Sequence, residues 1–387
     1  MKCIFLLSGD YIDLGKEEVV SLFNINKYEL KNRLLIVELE NETLLKNLSK
    51  RLALTKNIYN FLFECKINDL IDIMKDFDWN SIYEDNFCLR KIYLEGNNGA
   101  LTKKYINQKT INEKIQYERY INGKNNKKSE AKVANNKQFS EKNLAGYIWR
   151  TLNNPKVNLE NPKTEIILFF LKGKVYCGLL AKKIDYDFDL RKAHKRPFPH
   201  PSSLHPKVAR ALVNLSEIKE GEILLDPFCG TGGFLIEAGL MNIKSIGYDI
   251  NKIMIKGCKD NLEYFKIQNF KIFHKNALKI FHRFDCAVTD LPYGLNSNAM
   301  TGYEKDWKRF RLNKKIQTKN FVRDLEKFYL KFLKNLRKGL KNGRKAVIVF
   351  PSYVNYKRLL KQSKFKIEFE LSNYVHRSLT RKIMKIR

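Results

Sequence analysis

The chain has 387 residues, 44% of them hydrophobic and 29% charged, and its 73 lysines and arginines against 41 aspartates and glutamates give a net charge of +32. That length predicts two or three domains with enough apolar residues for several cores, and the composition excludes a disordered chain. The longest apolar run, Ile166 to Leu171, stops far short of the roughly 20 residues of a membrane span, and the apolar start from Cys3 to Leu7 ends too soon for a secretory leader, so the chain reads as soluble and cytoplasmic. In residues 1–80 short strands (Cys3–Leu7, Leu34–Leu39, Ile58–Phe63) alternate with helical stretches (Lys16–Leu22, Leu44–Leu54), which predicts a small α+β unit. Residues 81–185 form a second α+β segment. It has a strand at Phe87–Leu94, an Asn- and Lys-rich stretch over 97–145, a helix ending within Gly146–Leu152, and a hairpin of Glu165–Leu171 and Lys174–Leu180 around Lys172-Gly173. Charge separates these segments: residues 1–90 carry a net −3, leaving +35 on the other 297. A genome rich in lysine codons would not empty one quarter of the chain of its positive excess, so the imbalance points to a nucleic-acid partner.

Four of the nine prolines fall within 197–206, which predicts a stiff linker over 186–206. A helix over Lys207–Leu215 opens the remainder, 207–387. Strands and helices then alternate: strand Glu222–Leu225, helix 233–240, strand Ser245–Tyr248, helix 252–265, strands Lys271–Phe273 and Cys286–Thr289, helix 321–338 and strand Ala346–Phe350. This is the pattern of a parallel sheet with helices on both faces. Two further strands, Lys366–Glu370 and from Tyr374 onward, suit an antiparallel edge hairpin. Phe321, Leu325, Phe328, Phe332 and Leu336 form one stripe of helix 321–338 and are expected in the core.

The sharpest motif is Asp226, Pro227, Phe228, Cys229, Gly230, Thr231, Gly232 and Gly233, between a strand and a helix. Ligands of such sheets lie outside the carboxyl ends of the strands, where glycines allow close approach to the backbone. The spacing fails the dinucleotide pattern at Leu235, and no Gly-Lys-Ser/Thr follows for a triphosphate. The loop opens with an acid that would repel a pyrophosphate and attract an aminoacyl ammonium, which favours S-adenosylmethionine. Asp249, with Ile250, ends the next strand, where a carboxylate can bridge two ribose hydroxyls. Asn276 and Ala277 end the third, where an amide could read the adenine amino group. Cys229 is expected as a small packing residue. The seven cysteines show no C-x-x-C pair, and the histidines show no metal spacing, so neither a disulfide framework nor a metal site is expected.

The fourth strand ends in Asp290, Leu291, Pro292 and Tyr293. An exocyclic amine is a poor nucleophile because its lone pair is delocalised into the ring. A carboxylate and a backbone carbonyl accepting its two N–H bonds would draw it toward sp3 geometry, while Tyr293 stacks on the base. The loop 295–320, with Tyr303, Trp307, Arg309, Phe310 and Arg311, offers aromatics among arginines that suit RNA.

The motif at 290–293 resembles the [DN]-P-P-[YFW] motif of class I S-adenosylmethionine-dependent amino-methyltransferases. Arg196 to Ser203, Pro206 to Leu215 and Asp226 to Phe234 more closely resemble archaeal THUMP-domain tRNA (guanine-10-N2)-methyltransferases. The resemblance implies an α/β fold: a class I methyltransferase Rossmann-like sheet over 207–387, preceded by a ferredoxin-like unit at 1–80 and a THUMP-like RNA-binding domain at 81–185. It also implies one or two methyl transfers from S-adenosylmethionine to guanine N2 of tRNA. It leaves open a small activating protein subunit, with a monomer as the alternative. Two rivals are a DNA adenine-N6 methyltransferase and a non-catalytic RNA-binding subunit with a relic fold; intact Asp226, Asp249 and Asp290 argue against the second. The departure from the family pattern is Leu291 in place of proline. Pro292 keeps residue 291 extended, so Leu291→Pro is expected to stabilise the protein by about 0–1 kcal/mol.

Overall fold

The computed structural model describes residues 1–94, 137–184, 186–201, 203–280, 282–293, 319–376 and 379–387, so 295–318 of the loop 295–320 and most of 97–145 lie outside the described residues. The chain divides into two units. One comprises Met1–Ile12, Ile25–Ser49 and Thr55–Ile184, the other Asp13–Asn24, Lys50–Leu54 and Asp185–Arg387.

The first unit is built on one seven-stranded sheet. Strands β1 (Lys2–Leu7), β2 (Tyr28–Lys31), β3 (Leu34–Glu38) and β4 (Thr55–Lys66), with helices α1 (Ile12–Phe23) and α2 (Glu42–Leu48) between them in sequence, follow the βαββαβ order. Their sheet order, β2-β3-β1-β4, is all antiparallel and is that of a ferredoxin-like unit. The sheet does not stop there. Strand β4 pairs with β7 (Lys174–Lys183), and β6 (Thr164–Leu171) and the parallel edge strand β5 (Phe87–Tyr93) complete it. The two predicted α+β segments therefore share one sheet, and position 80/81 does not separate two sheets. The β6–β7 turn is the expected two-residue one: Lys172 and Gly173 both have positive φ, 49° and 75°, which matches the twist of the flanking strands. Ile166, Leu168 and Phe170 point to one face, with Trp79 and with Leu144 and Ile148 of the helix Glu141–Thr151; Ile167, Phe169 and Leu171 point to the other, with Ile4, Ile36 and Tyr59. An all-apolar strand buried on both faces reads as this unbroken run.

The second unit carries a seven-stranded sheet in the order β10-β9-β8-β11-β12-β14-β13. Its strands are β8 (Ile223–Asp226), β9 (Lys244–Asp249), β10 (Phe270–His274), β11 (Cys286–Asp290), β12 (Ala346–Pro351), β13 (Ile367–His376) and β14 (Leu379–Ile386). The first five are parallel, and β14 enters antiparallel between β12 and β13. This is the sheet of a class I methyltransferase, with the order reversing between β8 and β11. Helix α8 (Lys319–Gly339, counting the described helices so that α3 to α7 are Leu70–Asp76, Glu141–Thr151, Pro206–Leu215, Gly233–Gly239 and Lys252–Tyr264) buries Phe321, Leu325, Phe332 and Leu336 in the core, as its stripe predicts, whereas Phe328 is only partly buried and Tyr329 beside it is fully buried. The helix α9 (Tyr356–Gln362) was not foreshadowed by the sequence pattern.

Two features of this unit differ from expectation. The proline-rich stretch is not a free connector: Arg196 is 4% exposed, and the Phe198 backbone exchanges hydrogen bonds with the buried Asn261 (2.9 and 3.0 Å). Proline lacks an N–H and needs no ladder partner, so such a segment can pack without joining a sheet, its remaining backbone groups being taken by side chains such as Asn261. Helix α1 and residues 50–54 also belong to this unit. Buried Glu18 accepts from the backbone N–H groups of Ala53 and Leu54 (both 2.9 Å) and from Asn214 of α5 (2.8 Å), and Arg51 donates to the Ile218 carbonyl (2.8 Å). Helix α2 ends at Leu48, short of the predicted Leu54, and a 3-10 turn follows over Ser49–Arg51.

Candidate active site

Strands β8, β9 and β11 are parallel neighbours, so Asp226, Asp249 and Asp290 come together at their carboxyl ends. Asp226 is 1% exposed; its Oδ1 accepts from Thr289 Oγ1 of β11 (2.9 Å) and from the Phe228 N–H (3.2 Å). Thr289, which the sequence pattern did not single out, thereby clamps β8 to β11 at the switch point. Burial pushes the Asp226 carboxyl up to about 7.

The loop after Asp226 is tied to β9. The Cys229 N–H donates to the Tyr248 carbonyl (2.9 Å), and the Gly230 N–H donates to Oδ2 of Asp249 (3.0 Å). Asp249 Oδ1 takes the Asn251 N–H (2.8 Å), and burial raises its pKa. Gly230 and Gly232 have φ of 49° and 86°. A Cβ at Gly230 would meet nothing within 4 Å, whereas one at Gly232 would stand 2.8 Å from Cys258 Sγ. Gly230 thus lines open space at the loop's crest, and Gly232 is required by the packing beneath it. The chain's donor set here, left-handed backbone at an open crest with two carboxylates at adjoining strand ends, fits an S-adenosylmethionine and not a pyrophosphate.

The expected cofactor residues divide. Pro227, Cys229 and Thr231 are buried in the loop, with Thr231 Oγ1 3.2 Å from Ser203 Oγ. The Cys229 thiol is held well above its ordinary pKa by the neighbouring Cys258 thiol and by burial, which makes it a packing residue. Phe228 packs edge-on against Phe332 of α8 (5.0 Å between centroids), and the Ala277 side chain lies in the core. Asn276 is exposed, but its side-chain oxygen accepts the Leu278 N–H (2.8 Å), so its amide is left as a donor. Ile250 is half-buried beside Asp249.

At the end of β11 the side chains form a closed network. Asp290 Oδ1 accepts from the Tyr293 hydroxyl, which in turn accepts from Arg381 Nε of β14 (3.0 Å); Arg381 Nη2 stands 3.7 Å from Asp290 Oδ2. Burial raises the Asp290 carboxyl to about 6, against the pull of Arg381 and the Tyr293 bond. The Tyr329 hydroxyl of α8 donates to the Pro292 carbonyl (2.7 Å) and the Tyr353 hydroxyl to the Tyr293 carbonyl (2.5 Å). Among the described residues, no hydrogen bond takes the Leu291 carbonyl. Leu291 itself is 2% exposed, and its N–H donates to the Val349 carbonyl of β12 (3.1 Å). The expectation that proline would fit and stabilise at position 291 is corrected by this bond: residue 291 continues the parallel ladder. Arg381, Tyr329 and Tyr353 are 37 to 91 residues away in sequence from the groups they contact, and no local pattern marks them.

A family profile described as "RMKL-like, methyltransferase domain" matches residues 193–305. The tRNA (guanine(10)-N2)-dimethyltransferase of Methanothermobacter thermautotrophicus is 31% identical over 344 residues, covering 88% of this chain and 84% of that protein. The protein of the same name from Pyrococcus abyssi is 34% identical over 58% of this chain and 62% of its own length. The Saccharomyces cerevisiae tRNA (guanine(10)-N(2))-methyltransferase is 26% identical over 81% of this chain and 71% of its own.

Proposed function

The chain belongs to the family of tRNA guanine(10)-N2 methyltransferases, and from that premise we propose that it methylates the exocyclic N2 amine of guanosine 10 in tRNA. The observation that carries the reading is the Asp290-Leu291-Pro292-Tyr293 turn beside the glycine loop at the sheet's switch point. S-adenosylmethionine supplies an electrophilic methyl group borne on a sulfonium. Asp226 and the loop through Gly233 would hold its aminoacyl end, Asp249 and Ile250 the ribose side, and the Asn276 amide, as a donor, a ring nitrogen of adenine.

The guanine N2 needs two acceptors to release its lone pair. Asp290 provides one. The carbonyls of Pro292 and Tyr293 are occupied by phenols, so the Leu291 carbonyl provides the other. Asp290, as carboxylate, takes one amine proton and passes it to water. Tyr293 stacks on the base, which must leave its helical stack at a cost of roughly a few kcal/mol. Residues 81–185, as a THUMP-like domain, and the basic C-terminal half hold the tRNA backbone, in the cytoplasm. A small activating subunit belongs to this proposal as a variable: activity of the isolated chain tests whether one is needed. Labelled-methyl transfer to tRNA against DNA tests the reading; incorporation into DNA alone would overturn it in favour of adenine-N6 chemistry.

A further inference from the structure

In the structure, Oδ1 of Asp290 already accepts a hydrogen bond, from the Tyr293 hydroxyl. That hydroxyl is fixed from its far side by Arg381, whose Nε donates to it at 3.0 Å and whose guanidinium carbon lies 5.9 Å from the ring centroid. Arg381 reaches this position because β14 runs against the other strands. Pairing of Arg381 with Pro351 puts the start of β14 at the same edge as the carboxyl ends of β8, β9 and β11. The second Nη group faces the other oxygen of Asp290 at 3.7 Å. One planar guanidinium therefore addresses both members of the pair, a geometry that suits arginine's rigid fork and not a lysine ammonium.

We infer that Arg381 is a positioning residue for methyl transfer: it holds Asp290 by Oδ2 so that Oδ1 faces the substrate, and keeps the Tyr293 hydroxyl on Oδ1 until an incoming amine displaces it. The inference rests on Asp290 being the proton acceptor. The exchange keeps one donor on Oδ1, an N–H in place of an O–H, and the freed hydroxyl retains Arg381 as its donor while its own proton turns to the solvent that the incoming base leaves at the site's edge or to the amine itself. The groups facing Asp290 are Arg381 from β14, Tyr293 from its own turn, Asp226 from β8 and Tyr329 from α8. Arg381 is the cation paired with it among the described residues. Without that cation, burial and Asp226 both disfavour the carboxylate.

The test compares parent, Arg381→Ala, Arg381→Lys, Tyr293→Phe and Asp290→Asn in the full chain on tRNA, with cofactor binding measured calorimetrically as a check on folding. Arg381→Ala should lower kcat by about 10–100-fold and move the acid limb of kcat/KM up by about one pH unit, with cofactor affinity kept. Arg381→Lys should return the acid limb to the parent's position while kcat stays low, and it carries the test if the alanine variant does not fold. Tyr293→Phe should lower KM for tRNA by about 2–5-fold, the worth of one displaced hydrogen bond. Parent-like kcat and acid limb in both Arg381 variants, with Asp290→Asn inactive, would overturn the inference. A fully active Asp290→Asn would instead overturn the assignment of Asp290.

Discussion

Replacing Leu291 by proline should destabilise the catalytic unit by about 1–3 kcal/mol. The variant loses the Leu291 N–H bond to the Val349 carbonyl, and Val349 is fully buried, so that oxygen gains no water in exchange. A buried acceptor left unpaired costs about 1–3 kcal/mol. The smaller ring also gives up roughly one buried methylene from a side chain that is 2% exposed, about 0.8 kcal/mol. Against this, proline restricts the unfolded chain and returns about 0.4–1 kcal/mol. The net loss should appear as a fall of about 2–10 °C in the melting temperature of the cofactor-free protein, followed by circular dichroism. Methyl transfer by the folded fraction should stay within a few-fold, because residue 291 keeps its carbonyl. A variant as stable as the parent, or more so, would refute the claim that this N–H matters to the ladder.

Asp290→Ala should cut turnover by about 100–1,000-fold with cofactor affinity within a few-fold, whereas Asp249→Ala should weaken cofactor binding most; equal losses of affinity by calorimetry would dissolve that division of roles. Because Asp290 must be ionised to accept a proton and burial raises it to about 6, kcat/KM should fall as pH drops through about 6; a flat profile between pH 5 and 8 would contradict it. Glu18→Ala strips the Ala53 and Leu54 N–H groups and the Asn214 amide of their acceptor and should cost about 3 kcal/mol in urea unfolding, with no loss meaning that the bonds are replaced by water. A fragment of residues 186–387 lacks Glu18 and Arg51 and should melt well below the full chain; equal melting would show that helix α1 contributes nothing to the second unit.

The parts of the site legible in the sequence are those whose chemistry is local. A glycine loop opening with Asp226, an acid ending the next strand and the 290–293 turn each declare themselves within eight residues, and strand–helix alternation alone places them at one sheet edge. The rest depends on partners remote in sequence. Glu18 looks like an ordinary charge on an amphipathic helix until Asn214, 196 residues later, is found beside it. Glu237, buried in α6 and paired with Arg191 and Arg210 at 2.8 Å, breaks the hydrophobic pattern with no local sign of what neutralises it. Tyr329 sits one residue beside the predicted apolar stripe of α8, and its hydroxyl, not its ring, is what reaches the turn. The proline run suggests a connector because composition reports what proline cannot do, form a ladder, and not what its neighbours pack against. The division at 80/81 failed as a boundary between sheets because a change in charge marks a surface, while strand pairing of β4 with β7 is decided in the interior.

The central claim, transfer of a methyl group to guanine N2 by the Asp290 turn, is tested most directly by mass spectrometry of nucleosides. Unmodified tRNA transcript is incubated with S-adenosylmethionine and either the parent protein or Asp290→Ala, then mapped by fragment. The account predicts N2-methylated or N2,N2-dimethylated guanosine in the fragment carrying position 10, present with the parent and lost with the variant. Methylation of adenosine, or guanosine methylation undiminished in Asp290→Ala, would contradict it.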